Sequence, residues 1–335
     1  ALNGAFGQCV NMTVQAITPP NLSECNNTSA MFYGCSKITQ VGISNWDFST
    51  VQNANQMFYN CALYDEDITI SSNALISNYE MLRNCYVYDS IVDLSNCPNI
   101  TNSSGLFSGC RELNTKPLMD TSKNKNFTMF FYDCRKMTFD VNWLDTSSAE
   151  TTAGMFMNCY LFNQPVNHFD MSKNKNMSNM FMDARIFNQP LSNWDTSQVS
   201  TFSSMFQNAY KFNQNLTTFD FTSISATGSN SFLYNARKFN GTIPTLPAAI
   251  TSLYRTFAGC WVFNQNITCN STTLTTLFEF LRDCKVFNST ISLANTSNVT
   301  TMENMLNGCL VYNRSDLANM NVSSVTTMVH ICENT

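Results

Sequence analysis

A short phrase of sequence recurs along the whole chain about every 25 residues, and this repeat constrains the fold more than any single residue. Residues 153–159 read AGMFMNC, and the same pairing of Met or an aromatic residue with a later Cys or Ala returns in every copy. A fixed period of this size is typical of solenoids, whose coils bury their apolar faces only by stacking on one another. The period runs without a linker or a change of composition, which predicts a single domain over residues 1–335. We expect a divergent first coil at 1–30 and regular repeats over 31–335, about 13 in all.

The coil at residues 187–209 shows the pattern most clearly. Its apolar side chains are spaced as on one face of a short helix; they are Val199, Phe202, Met205, Phe206 and Ala209. Asp195-Thr196-Ser197 offers candidate N-caps just before this helix. Leu191 to Trp194 is spaced as an extended segment. The predicted fold is therefore an α/β solenoid of leucine-rich-repeat-like, right-handed coils, each with one short extended segment and one short helix.

An aromatic or aliphatic residue followed by Asn marks the turn into the next coil, as in Phe187-Asn188 and Phe263-Asn264. We predict that these asparagines stack and bond the backbone of the neighbouring coil, so that polar groups buried by stacking are satisfied. The aromatic residues are predicted to fill the core between layers. The predicted column of core phenylalanines is Phe32, Phe58, Phe107, Phe131, Phe156, Phe181, Phe206 and Phe257.

Bulk properties exclude several classes of partner. Only 12% of the residues are charged and the net charge is −5, with no basic stripe, so we expect no nucleic-acid partner. No apolar run has the length of a membrane span, and no signal peptide is present. The first residue, Ala1, is not Met, which suggests a mature product whose leader was removed, or a fragment of a longer protein.

The chain contains 17 Asn-x-Ser/Thr sequons and 14 cysteines, a combination that favours a secreted eukaryotic glycoprotein at the cell surface or outside the cell. The predicted glycan acceptors are Asn11, Asn21, Asn26, Asn99, Asn102, Asn126, Asn176, Asn215, Asn266, Asn270, Asn295, Asn298 and Asn321. Three further sequons, at Asn240, Asn288 and Asn313, belong to the predicted buried asparagine row, and we expect these three to carry no glycan.

The stretch FNQPLSNWDTSQV at residues 187–199, with Met-Phe and Ala following, resembles the 25-residue repeat of mycoplasma-type bacterial surface lipoproteins. These are relatives of the BspA-like leucine-rich repeats. The resemblance covers essentially the whole chain and is closest at 155–215. It implies a leucine-rich-repeat-like solenoid at a cell surface, with adhesion or assembly roles and no catalytic residues. The Cys in place of Ala and the dense sequons depart from that pattern and suggest a eukaryotic member.

Most cysteines fall at one repeat position, where Ala184, Ala209 and Ala236 stand in other coils. The ladder that we predict for the core comprises Cys35, Cys61, Cys85, Cys110, Cys134, Cys159, Cys260, Cys284, Cys309 and Cys332. Free buried thiols are one interpretation, since Cys acts as a compact hydrophobe. Disulfides between adjacent coils are the alternative, although parallel side chains fit the S–S dihedral angle poorly. Zinc is disfavoured, because there is no Cys-x-x-Cys spacing and there are only two His.

Four aspartates occur near one repeat phase in successive coils: Asp145, Asp170, Asp195 and Asp220. Capping of helix N-termini is the interpretation that we favour, and calcium held between coils is the alternative. No other cofactor is expected. His168 and His330 have no Ser or Cys neighbour at a spacing typical of a nucleophile pair, so we predict that the protein is not an enzyme.

Two functions remain open. The first is a structural glycoprotein that stacks head-to-tail with further copies of itself into a surface fibre or coat. The alternative is an adhesion or recognition module that binds a protein or glycan on the solenoid face. Outward residues such as Asn193, Gln198 and Asn142 predict a neutral polar surface with few aromatic or Arg anchors, which argues against a tight protein ligand.

Overall fold

The computed structural model describes residues 2–13 and 19–335. The chain divides into two compact units, Ala1–Pro165 and Val166–Thr335, called unit 1 and unit 2 below. Each unit is built from consecutive copies of the repeat. The organisation of residues 1–335 as one domain stays a prediction.

Regular secondary structure is sparse. Unit 1 holds a parallel three-stranded sheet of β1 (Ile68–Thr69), β2 (Val92–Leu94) and β3 (Leu118–Met119). Unit 2 holds a parallel pair, β4 (Ile267–Cys269) and β5 (Ile291–Leu293). Two 3₁₀ stretches, Ile43–Asn45 and Asp316–Asn319, are the helical elements of the described residues.

Every strand pairs with the equivalent segment of a neighbouring copy. Ile68 lies opposite Val92, and Asp93 lies opposite Leu118, so the pairing advances by one period at each step. Single parallel bridges continue this register elsewhere, as at Asn102–Asn126 in unit 1 and Thr276–Thr301 in unit 2. Neighbouring copies are therefore joined by backbone hydrogen bonds in one constant register.

The predicted α/β solenoid, with its leucine-rich-repeat-like helix in each coil, is wrong. The described residues contain no α-helix, and Leu191 to Trp194, predicted as extended, forms a turn closed by the Trp194 N–H and the Leu191 carbonyl at 3.2 Å. The predicted helical face from Val199 to Ala209 is buried, but its backbone is a succession of turns. Ser204 and Asn208, on this segment, have φ angles of 55° and 58°, which no right-handed helix contains.

The Met-Phe segment alternates two kinds of backbone hydrogen bond. The Phe32 N–H donates to the Met57 carbonyl of the next copy at 2.8 Å. The neighbouring Met31 and Tyr33 N–H groups close turns within their own copy, onto the residues three positions earlier. Left-handed residues at Ala30 and Gly34, with φ of 53° and 72°, make this alternation possible. Alternate backbone N–H groups of the segment thus bond within their own copy and to the next copy, whereas those of a helix bond within the helix.

The core of each unit is a column of rings between stacked turns. In unit 1 the Phe32 and Phe58 rings lie 5.3 Å apart and nearly parallel, and Phe107 and Phe131 follow at 5.5 Å. In unit 2 the Phe181 and Phe206 rings stack at 5.8 Å. All eight phenylalanines that the sequence assigns to the column are buried. Stacking of rings at this spacing fixes the step from one copy to the next.

Candidate binding surface

The cysteine ladder lies inside the core, one thiol in each of most copies. The Cys61 Sγ donates to the Phe32 carbonyl of the preceding copy at 3.0 Å, and the Cys284 Sγ donates to Phe257 at 3.1 Å. The same bond is made by Cys35, Cys85, Cys110, Cys134, Cys159, Cys260 and Cys309. All 14 cysteines fall within the described residues and are free thiols, so of the two alternatives the structure has thiols and no disulfides.

Burial raises the pKa of the ladder thiols, because an ionised sulfur loses its hydration in the core. The pKa of Cys309 rises to about 12, and that of Cys97, which lies outside the ladder, rises to about 11. Cys332 is half-buried, and Cys9, in the truncated first copy, is exposed. The buried thiols are therefore protonated at neutral pH and pack as small hydrophobes with a weak donor, without nucleophilic character.

The aspartate row closes turns. The Asp195 Oδ1 accepts the Ser197 N–H at 3.0 Å, and Asp145, Asp170 and Asp220 do the same for the residue two positions ahead. The Ser197 N–H is the main cause of a lowered pKa at Asp195. The predicted capping of helix N-termini is therefore wrong, since the described residues contain no α-helix, and these carboxylates close Asx turns. Among the described residues, no three His, Cys, Asp or Glu side chains come together as a metal site.

The sequon asparagines lie at the surface in varied settings. None of the 13 predicted acceptors is buried. Asn215 and Asn266 are exposed, whereas Asn126 and Asn176 are half-buried and accept, through Oδ1, the N–H of the Thr or Ser of their own sequon. Occupancy by glycans stays a prediction for all of them.

The turn asparagines form the predicted row in unit 2, but at its surface. The Asn240 Oδ1 accepts the Asn264 N–H at 2.8 Å, and Asn264 accepts the Asn288 N–H at the same distance. Asn240 and Asn313 are exposed, so the predicted burial of these residues is wrong. Their amide nitrogens are not needed for the ladder, since the acceptor is the side-chain oxygen.

A second surface feature in unit 2 combines aromatic rings and cations from successive copies. The Arg237 guanidinium lies 4.5 Å from the centre of the Tyr210 ring and 4.4 Å from that of Trp261. The Lys285 ammonium lies 4.4 Å from Trp261. Together with the adjacent Lys211 and Lys238, these residues define the cationic row: Tyr210, Lys211, Arg237, Lys238, Trp261 and Lys285.

The repeat itself positions the cationic row. Tyr210, Arg237, Trp261 and Lys285 each follow directly after a residue of the core Cys/Ala column, and so they leave the core at the same point of successive turns. The neighbouring core rings fix the step, since the Phe212, Phe239 and Phe263 centroids are separated by 6.0 and 5.8 Å. Between the side chains of the row runs an open groove of about 260 Å³.

The cations of the row are not neutralised. Within the part of the chain that the structure describes, no carboxylate forms an ion pair with Lys211, Arg237, Lys238 or Lys285. The Arg237 Nε is buried between the rings and has no hydrogen-bond acceptor. Trp261 keeps 38% of its surface exposed. Aromatic and Arg side chains with these properties are typical of residues that carry binding energy at interfaces.

Unit 1 offers a direct comparison at the same repeat position. The Arg111 guanidinium lies 4.4 Å from the Tyr86 ring, yet its Nε also pairs with Asp133 at 3.0 Å. Arg135 pairs with the same carboxylate at 2.7 Å. The cation–aromatic geometry is thus shared by both units, whereas the uncompensated charge belongs to the row in unit 2.

The expectation of few aromatic or Arg anchors misses the cationic row; for the face around Asn193 it stays a prediction. The row lies in the turn, and the missed signal was the residue after the core Cys or Ala in the four copies from Ala209 to Cys284, which is Tyr, Arg, Trp and Lys in turn. His168 is exposed, and His330 pairs with Glu333 at 2.8 Å. No helix among the described residues is long and apolar enough to cross a membrane.

The constant pairing of copies defines a repeat protein, and comparison with known families agrees. The family described as "Mycoplasma protein of unknown function, DUF285" matches residues 1–121, 125–246 and 249–335. The chain therefore belongs to this family, and the predicted membership of a mycoplasma-type repeat family is confirmed at that level. Searches among curated proteins and solved structures found no match.

Proposed function

We propose that the protein is a recognition module displayed outside the cell, which binds its ligand through the cationic row of unit 2. One observation carries this proposal: Arg237 and Trp261 present charge and aromatic surface together, and no carboxylate of residues 2–13 or 19–335 forms an ion pair with Arg237. An unpaired guanidinium stacked on a ring is held in place before any ligand arrives, so that little side-chain entropy is lost on binding.

Display outside the cell belongs to the same proposal. The exposed or half-exposed sequons support it. A relationship of the family to the BspA-like surface proteins is part of the proposal. Twelve of the 14 free thiols are buried, which protects them from oxidation, so they do not argue against display outside the cell.

The experiment is binding of the full chain to a microarray of polysaccharides and extracellular-matrix proteins. We expect the double substitution Arg237→Ala/Trp261→Ala to abolish the strongest signals. The matched control is Arg111→Ala, which removes an equivalent cation–aromatic pair from unit 1 and is expected to leave the binding profile unchanged. A profile that is identical for the wild type and the unit 2 double variant would overturn the proposal.

Assembly into a fibre or coat is a second candidate. The observation that favours it is the contact between copies, which joins two different faces in one register and therefore has no built-in closure. A copy of the repeat from another chain carries the same backbone N–H and C=O groups that join neighbouring copies within one chain, so it can form the same contact.

A further inference from the structure

The cationic row has a linear arrangement, which restricts the chemistry of its ligand. Its cations come from three of four successive copies, at Lys211, at Arg237 with Lys238, and at Lys285, which is two copies beyond Arg237; Trp261 stands in the copy between them. The core rings beneath them advance by 5.8–6.0 Å per copy, so the positive charges follow one another along the direction in which the copies stack, with Trp261 between Arg237 and Lys285. A ligand that meets all of them is itself extended, with anionic groups spaced along its length.

Charge also separates the two units. Residues 1–165 carry 8 Lys/Arg and 14 Asp/Glu, for a net charge of −6, whereas residues 166–335 carry 10 and 9, for a net charge of +1. In unit 1 the cations at the equivalent position are neutralised by Asp133. Attraction of a polyanion is therefore a property of the row in unit 2 and not of the whole chain.

Nucleic acid fits this surface poorly. Binding of single-stranded nucleic acid relies on free aromatic faces on which bases stack. Trp261 has Arg237 and Lys285 over its ring at 4.4 Å each, so its faces already hold cations. The rings hold the cations in line, and contact with the ligand falls to the charged groups and the ring edges.

An acidic peptide also fits less well than a polysaccharide. Tight peptide recognition depends on an apolar side chain anchored in a desolvated pocket. The groove beside Arg237, Trp261 and Val262 is partly open to solvent and is not an enclosed cavity. A stiff linear chain that carries its anionic groups at regular intervals loses less entropy on such a surface.

We infer that the cationic row binds a linear sulfated polysaccharide, with Lys211, Arg237, Lys238 and Lys285 contacting its anionic groups. This inference rests on the proposed function and names its ligand class. The contacts are ionic and exposed, so binding falls steeply as salt rises.

The test uses the full chain and immobilised heparin in surface plasmon resonance. We expect Lys238→Gln/Lys285→Gln to weaken binding by about tenfold or more and to reduce the slope of log affinity against log salt by roughly two. The matched control is Lys125→Gln/Lys136→Gln, which removes the same charge from unit 1, where each lysine pairs with a glutamate. The control is expected to bind as the wild type does. Both lysines of the test variant are exposed, so the fold is retained.

Several results would overturn the inference: equal heparin binding by wild type and test variant, an equal loss in the control, or tighter binding of poly-L-glutamate or an oligothymidylate. These outcomes differ from failure of the proposed function. If Arg237→Ala/Trp261→Ala abolishes binding on the microarray while soluble heparin does not compete, recognition by the row stands and the ligand class is wrong. If that variant changes nothing on the microarray, the row is not the recognition surface.

Discussion

Two left-handed residues in each copy determine the path of its backbone. The second of them directly precedes the core Cys or Ala in the copies from Gly34 to Gly308, and there it is Gly, Asn or Asp; in the last copy it is Asn334, which precedes Thr335. These three residue types tolerate positive φ best. Where the position is Gly, as at Gly109 and Gly259, the Asn of the preceding copy lies over the space that a side chain would fill.

Gly259→Ala is expected to destabilise the protein by about 2–3 kcal/mol, since it adds both strain at φ +75° and a clash. The new Cβ would lie 3.1 Å from the Cα of Asn235, on backbone that cannot easily move. Gly42→Ala is the control, because its φ is +73° and nothing lies within 4 Å of the added carbon. Urea unfolding should show a cost of only about 1 kcal/mol there. Equal costs at both positions would contradict the packing argument.

The ladder thiols make stability depend on alkaline pH. The unfolded chain ionises its cysteines near their ordinary pKa of 9.0, whereas the folded chain holds its buried thiols protonated, with the pKa of Cys309 at about 12. The stabilisation is therefore complete below about pH 9 and is lost as the pH rises toward 12. Within that window, each such thiol lowers the free energy of unfolding by roughly 1.4 kcal/mol for every unit that the pH rises.

Urea midpoints measured across this window give the slope. Cys110→Ala removes one of the most deeply buried thiols, so the fall in the free energy of unfolding with pH is expected to become shallower by the contribution of one thiol. Ala184 and Ala209 show that the site accepts Ala. A variant with an unchanged slope would mean that Cys110 ionises equally in both states.

At the scale of the element, the sequence predicts which residues are buried much better than it predicts their backbone. Phe202, Met205 and Phe206 are buried as expected, yet turns of about three residues produce the same apolar spacing as a helix. The Gly, Asn or Asp before the core Cys or Ala of the copies from Gly34 to Gly308 would have corrected the prediction. The other left-handed position carries no such signal: Met129 and Arg255 have φ of 54° and 52°. There the strain is offset by hydrogen bonds to the next copy, which only stacking supplies.

The candidate site was predictable in part, because the sequence shows the repeat position of each side chain but not its contacts. The alternation of Tyr, Arg, Trp and Lys after the core column is visible in the sequence, and its phase places these side chains in one line. Their charge state is not visible there. Arg111 and Arg237 occupy the same repeat position, and only the fold shows that Asp133 neutralises the first.

The asparagine row is an element in its own right, made of one side-chain bond per copy. Asn264→Ala removes the oxygen that accepts the Asn288 N–H at 2.8 Å and the Ser289 hydroxyl at 2.9 Å. We expect a loss of about 1 kcal/mol in urea unfolding, since both donors are exposed to water. Asn264→Asp keeps the acceptor, as Asp65 and Asp89 do in unit 1, and is expected to retain most of the stability. If both variants lose stability equally, the bond contributes nothing.

At the scale of the whole molecule, the open-ended contact between copies leads to the fibre prediction. Light scattering on the full chain over rising concentration is expected to show association, because contacts of this type do not close. A single monomeric species throughout a broad range of concentration would contradict it and leave recognition as the function to pursue.

The constant register between copies also bears on how such a chain can change in length. Each joint is made from backbone groups, so any copy can follow any other. If one full period is lost or duplicated, the copies on either side can still form the same backbone hydrogen bonds. The gene can therefore gain or lose length in steps of about 25 codons. Loss of half a period would shift the register, so that the later residues of that unit exchange buried positions for exposed ones.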